Sequence, residues 1–140
     1  MKNYLLVGVC FLWIAVTAFA QNTSNVTQTG TTNGATVNQT GANGSDVNQN
    51  GTDNNTDVTQ NGSSYSSVEQ LDTENNATIN QIGDGNGSWT YQYGFQNGAT
   101  IDQTGDGNWN DTYQSGNNNT VDLDQVGNGN TAWNQSVACR

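Results

Sequence analysis

Histidine and proline are both absent from this 140-residue chain, and it has only two basic residues. Without histidine there is no Ser-His or Cys-His pair to activate a nucleophile, and no common zinc site. The two bases, Lys2 and Arg140, stand against twelve acids, for a formal net charge of −10. Nothing in that balance neutralises phosphate, so no nucleic-acid partner is expected. The aspartates recur along the chain instead of converging on a cleft, and no enzyme class fits. We expect no catalytic residue, no metal and no cofactor. The long apolar run is confined to Tyr4–Phe19, preceded by Lys2 and closed by the small-x-small triplet Ala18-Phe19-Ala20. This is the layout of a secretory signal peptide over residues 1–20, cleaved before Gln21. Cys10 does not make it a lipoprotein leader, because Val9 stands where a lipobox needs a small residue. Cys139 is then the single thiol left, and it cannot form an internal disulfide.

The rest is Asn, Gly, Thr, Gln and Asp, a composition that alone suggests a disordered or prion-like tract. Its register argues otherwise. Gln28, Gln39, Gln49, Gln60, Gln70, Gln81, Gln92, Gln103, Gln114, Gln125 and Gln135 follow one another at intervals of 10 or 11 residues. Such a period marks a repeat architecture. Two residues before each Gln the side chain is usually apolar: Val26, Val37, Val47, Val58, Val68, Ile79, Ile101, Leu123 and Trp133, with Thr90 and Thr112 as exceptions. Four before, it is mostly small or a hydroxyl, as at Ala35, Ser45 and Ala77; six before, it is mostly Asn. Two after comes Gly, with Asp72 the exception. The half-unit reads Asn-x-small-x-Val-x-Gln-x-Gly.

A spacing of two is the strand period, so Asn, the small residue, Val and Gln share one face. The alternate positions, such as Thr36 and Asn38, suit water. Gly accepts positive φ and makes the turn. One such strand cannot bury its face alone. Two half-units facing each other form a rung of 21–22 residues, and stacked rungs bury a continuous core, with like positions ~4.8 Å apart. Stacked amides then bond along the column, which removes the cost of burying them unpaired. The expected fold is all-β: a two-sheet β-solenoid of about five and a half rungs over residues 21–136, with a short tail at 137–140. One sheet holds the strands ending at Gln28, Gln49, Gln70, Gln92, Gln114 and Gln135, and the other holds the remaining five. The glutamines, with Val37, Val58, Ile79, Ile101 and Leu123, form the expected core ladder.

The stretch Asn75–Gln81, "NNATINQ", followed by Gly83 and by Asn86–Gln92, resembles a curlin repeat, Ser-x5-Gln-x-Gly-x-x-Asn-x5-Gln. The same frame runs from Asn22 to Gln135. The chain departs from that pattern in opening mostly on Asn instead of Ser, and in starting its repeats directly after the leader. The resemblance implies a secreted subunit that self-assembles into curli-like extracellular amyloid fibres, for surface adhesion and biofilm matrix. Its implied partners are further copies of itself, a nucleator or major subunit, and a curli secretion machinery at the bacterial cell surface. A minor, nucleator-type subunit shares the repeat and is the alternative within that family.

Outside the family, an ice-binding solenoid is the alternative. Thr36, Thr78 and Thr100 share a column that Asp57 and Asp122 interrupt. Aromatic residues gather in the second half. Trp89, Tyr91, Tyr93, Trp109 and Tyr113 fall on outward positions, with Asp111 between, and predict an exposed patch suited to lateral contacts or a sugar or dye platform. The alternative is cross-strand stacking that only steadies the sheet. Trp133, by its distance from Gln135, is expected inward, capping the stack at the last half-unit or marking a distinct end interface. Asp46, Asp102, Asp111, Asp122 and Asp124 fall outward, where charge opposes edge-to-edge pairing.

Overall fold

Each half-unit forms a strand, and the strands coil into a parallel two-sheet solenoid. The computed structural model describes residues 21–138; the expected leader, Cys139 and Arg140 lie outside them. The elements are β1 (Thr23–Thr31), β2 (Gly34–Gly41), β3 (Gly44–Thr52), β4 (Asn55–Thr73), β5 (Asn76–Phe95), β6 (Gly98–Thr104), β7 (Trp109–Asn117), β8 (Thr120–Val126) and β9 (Thr131–Val137). β4 and β5 each run through a corner, so each contributes to both sheets. Sheet 1 stacks β1, β3, the second halves of β4 and β5, β7 and β9. Sheet 2 stacks β2, the first halves of β4 and β5, β6 and β8.

Like pairs with like from β1 to β8. Val26 lies beside Val47 and Gln28 beside Gln49, and Ile79 beside Ile101 and Gln81 beside Gln103. The first rungs advance by 21 residues and the later ones by 22. The added residue is Gly85, at φ 70, in the turn Asp84-Gly85-Asn86; Gly107 and Gly129 repeat it at φ 67 and 70. The other corner differs. There Thr32, Asp53, Glu74, Gln96 and Asn118 take the left-handed conformation at φ 55–57 without being glycine. This costs each residue on the order of 1 kcal/mol. It is offset by rung-to-rung backbone bonds such as Glu74 N–H to Thr52 O at 2.9 Å.

The apolar core is narrow. Val47, Val58, Val68, Ala77, Ile79 and Ile101 form it, flanked by Ala35, Val37, Val121 and Leu123. The two sheets compensate for one another. Where sheet 1 changes from Val47 and Val68 to Thr90 and Thr112, sheet 2 changes from Val58 to Ile79, Ile101 and Leu123. Thr112 Oγ1 donates to Asn110 Oδ1 at 3.1 Å. Thr90 Oγ1, fully buried, has no partner. A buried hydroxyl without a partner costs on the order of 1–3 kcal/mol, and valine has nearly the same shape. Thr90→Val should therefore raise stability by about 1 kcal/mol, read as a higher guanidinium midpoint of the folded protein.

The last strand departs from the expected frame. Tyr113 pairs with Gln135 and Gln114 with Ser136, so β9 is shifted by one residue. Gln135 faces outward and is absent from the ladder. Trp133 is likewise not an inward cap: it is 78% exposed and lies beside Asp111. The cause is the turn Gly127-Asn128-Gly129-Asn130. Like Asn108 before it, Asn130 takes the asparagine column, with its backbone N–H donating to Asn108 Oδ1 at 3.1 Å. Counting from Asn130 at the strand period turns Ala132, Asn134 and Ser136 inward.

Candidate assembly site: the amide ladders and their open ends

The glutamine columns are continuous chains of hydrogen bonds. In sheet 1, Gln28 Nε2 donates to Gln49 Oε1, Gln49 to Gln70, Gln70 to Gln92 and Gln92 to Gln114, at 2.7–2.9 Å. In sheet 2, Gln39 donates to Gln60, Gln60 to Gln81, Gln81 to Gln103 and Gln103 to Gln125, each at 2.8 Å. From Gln39 to Gln125, the second proton of each ladder Nε2 reaches across the core to a carbonyl of the other sheet. Gln81 Nε2 donates to Tyr65 O at 3.1 Å, and Gln114 Nε2 to Gly98 O at 2.8 Å. One side chain thus links rung to rung and sheet to sheet, with its amide satisfied in a buried setting.

Asparagine holds the corners in the opposite sense. Asn97 Nδ2 donates back to Asn75 Oδ1 at 3.0 Å, and the Asn97 backbone N–H donates to the same oxygen at 3.1 Å. Asn75 Nδ2 also donates to Leu71 O at 2.7 Å and Gly94 O at 2.9 Å. A single side chain closes its own turn and receives the next rung. Ser64, in the same column, donates to Gly83 O at 3.0 Å, but its single hydroxyl proton serves one carbonyl where the two of an asparagine amide serve more, which favours Asn at this position.

Every glutamine bond points the same way, so the ladders have unlike ends. Among the described residues, Gln28 Oε1 and Gln39 Oε1 accept from no donor at the β1–β2 end. At the β8 end, Gln125 Nε2 donates to Trp109 O at 3.1 Å and to no further rung. In sheet 1 the ladder stops at Gln114, because Ser136 occupies the next position. All the expected ladder residues except Gln135 therefore come together in two columns, with Val37, Val58, Ile79, Ile101 and Leu123 beside one of them.

The outer face of sheet 1 carries the aromatic residues. Trp89 and Trp109 stack with ring centroids 4.1 Å apart and planes at 23°. Tyr93 and Tyr113 lie 5.5 Å apart, tilted. Tyr65 extends the patch, 5.5 Å from Trp89, and its hydroxyl donates to Asp46 Oδ2 at 2.6 Å. That bond raises the Tyr65 hydroxyl above its usual range, with burial adding to it. Tyr91 and Tyr93 are raised mainly by burial, then by nearby carboxylates, Asp111 and Glu69 for Tyr91 and Glu69 for Tyr93. Tyr65 was not part of the expected patch. Its signal was the shared column with Gly87 and Trp109. Trp133, Tyr91, Tyr113, Asp111 and Gln135 line one groove at the β9 end.

On sheet 2, Thr36, Asp57, Thr78, Thr100 and Asp122 form one outward column, so no unbroken threonine row exists there. Asp102 lies directly beside Asp124. Among the described residues no group of three His, Cys, Asp or Glu side chains comes together to hold a metal. In comparison with known proteins, the chain matches no family model and no curated sequence, so its function must be argued from the ladders and their ends.

Proposed function

We propose that the chain is a structural subunit that adds to itself, end to end, to build a curli-like amyloid fibre. The observation that carries this reading is the polarity of the glutamine ladders. The Oε1 acceptors of Gln28 and Gln39 lie open at one end, and at the other the Gln125 Nε2 can donate onward from the uncovered edge of β8, while the like-directed Gln114 is covered by β9. Unlike ends that complement each other make a heterologous contact, and such a contact repeats without closing into an open filament. No catalytic group is required. The curlin resemblance and the leader support export of the chain and growth outside the cell, in the adhesive matrix at a bacterial surface. There it would meet further copies, a nucleator or major partner subunit, and the machinery that secretes them.

The test is seeded growth of the chain from Gln21 onward, followed by thioflavin fluorescence and electron microscopy. Fresh protein should form fibres after a lag, and preformed fibres should abolish the lag. A chain that stays monomeric for days at tens of micromolar, or that lowers the freezing point in a thermal-hysteresis assay instead of polymerising, overturns the proposal.

A further inference from the structure

We infer that the edge formed by β7 and β8 is the docking surface for β1 and β2 of a second copy, and that β9 holds the place of the incoming β1 until it is displaced. The inference rests on the fibre reading above. β1 and β2 are joined by one corner and sit on the two sheets of the same rung. For both glutamine ladders to continue, β2 must follow β8 while β1 follows β7, because the ladders end at Gln125 and Gln114. Among the described residues β8 has no strand beyond it, but β9 lies on β7. The incoming rung cannot continue both ladders while β9 stays. With β1 above β9 one strand would be missing from sheet 2, and with β1 on β8 and β2 on β9 the incoming Gln39 would meet Ser136 instead of a glutamine.

The side chains favour the exchange. β9 sets Ala132, Asn134 and Ser136 over Asn110, Thr112 and Gln114. Asn134 Nδ2 is buried with no hydrogen-bond partner, Ser136 ends the ladder, and Trp133 is 78% exposed. β1 would set Ser24, Val26 and Gln28 in the same places, following its pairing with Ser45, Val47 and Gln49. Gln114 Nε2 could then donate to the incoming Gln28 Oε1, as Gln125 Nε2 could to the incoming Gln39 Oε1. Asn119 points the same way. Its Oδ1 accepts from Ser136 Oγ at 2.9 Å. At the preceding rung the equivalent Asn97 Oδ1 accepts the backbone N–H of Asn119. β9 therefore covers the acceptor that the repeat uses to receive its next turn.

Charge complements this pairing. β1 and β2 carry no charged residue. Continued in register, Asp122 and Asp124 of β8 would meet Thr36 and Asn38, and no two carboxylates would be brought together.

Two variants test the exchange in seeded elongation on wild-type fibres. Removal of residues 131–140 should speed elongation about tenfold, the effect of taking about 1.4 kcal/mol from the barrier. Ser115 and Val137 are neighbours on the outer face of β7 and β9. The pair Ser115→Cys and Val137→Cys, in a Cys139→Ser background, should lock β9 in place when oxidised. The locked chain should elongate about tenfold more slowly and recover when the disulfide is reduced. If the oxidised pair elongates at the wild-type rate, or removal of 131–140 slows growth, β9 is not displaced and the inference fails, although the fibre reading stands. If the wild-type chain forms no seedable fibre at all, both fail together.

Discussion

Gln81→Ala combined with Gln103→Ala should nearly abolish elongation on wild-type seeds, whereas Asn80→Ala should leave it close to normal. The two glutamines are fully buried and follow each other in one ladder. Replacing both leaves Gln60 Nε2 without its acceptor along the column and Gln125 Oε1 without its donor. It also removes the donors to Tyr65 O and Gly87 O inside the core. Unpaired buried groups and the space left by two side chains together cost on the order of 3 kcal/mol per site. Asn80 is on the outer face of the same strand, between Thr59 and Asp102, and water can replace its contacts. Elongation rates from seeded thioflavin traces decide the matter. A more damaging Asn80 variant would mean that the two faces of sheet 2 are inverted.

The second large effect is expected at the corner that follows the sheet 1 strands. Gly94 has φ +112, and a Cβ built there would lie 2.2 Å from the carbonyl oxygen of Gly116 in the next rung. Both the conformation and the contact reject a side chain, and neither neighbour can yield without pulling two rungs apart. Gly94→Ala should cost several kcal/mol, beyond the usual effect of one substitution. Asp72 occupies the same column at φ 76, within reach of the left-handed region that aspartate tolerates. Asp72→Gly should instead stabilise by about 1 kcal/mol, the strain of that conformation. Denaturant midpoints of the two variants should therefore move in opposite directions from wild type.

The parts of this fold that could be read from the sequence are those governed by a period. The two-residue alternation along Asn75, Ala77, Ile79 and Gln81 placed the inner face, and the interval between glutamines placed the rungs. β9 was misread because Gln135 keeps the 10- or 11-residue spacing of the glutamines but stands five residues after Asn130, where the half-unit has six. The turn that contains Asn130 controls the register, since its backbone and side chain bond to the rung below. A rule that counted from asparagine as well as glutamine would have turned Trp133 outward. The left-handed residues Thr32, Asp53, Glu74, Gln96 and Asn118 share no residue type, so composition gave no sign of them. Neither could composition give the direction of the amide ladders, which depends on which carbonyl of the facing sheet each Nε2 reaches. That direction distinguishes an end-to-end filament from a symmetric dimer.

The central claim is that the stacking within one chain continues from one molecule to the next. Diffraction from aligned fibres of the chain from Gln21 onward tests it most directly. Rungs that continue across molecules predict a sharp meridional reflection at about 4.8 Å along the fibre axis, with a sheet-packing reflection near 10 Å across it. Fibres that lack the meridional reflection, or that show strands running along the axis, would contradict the account.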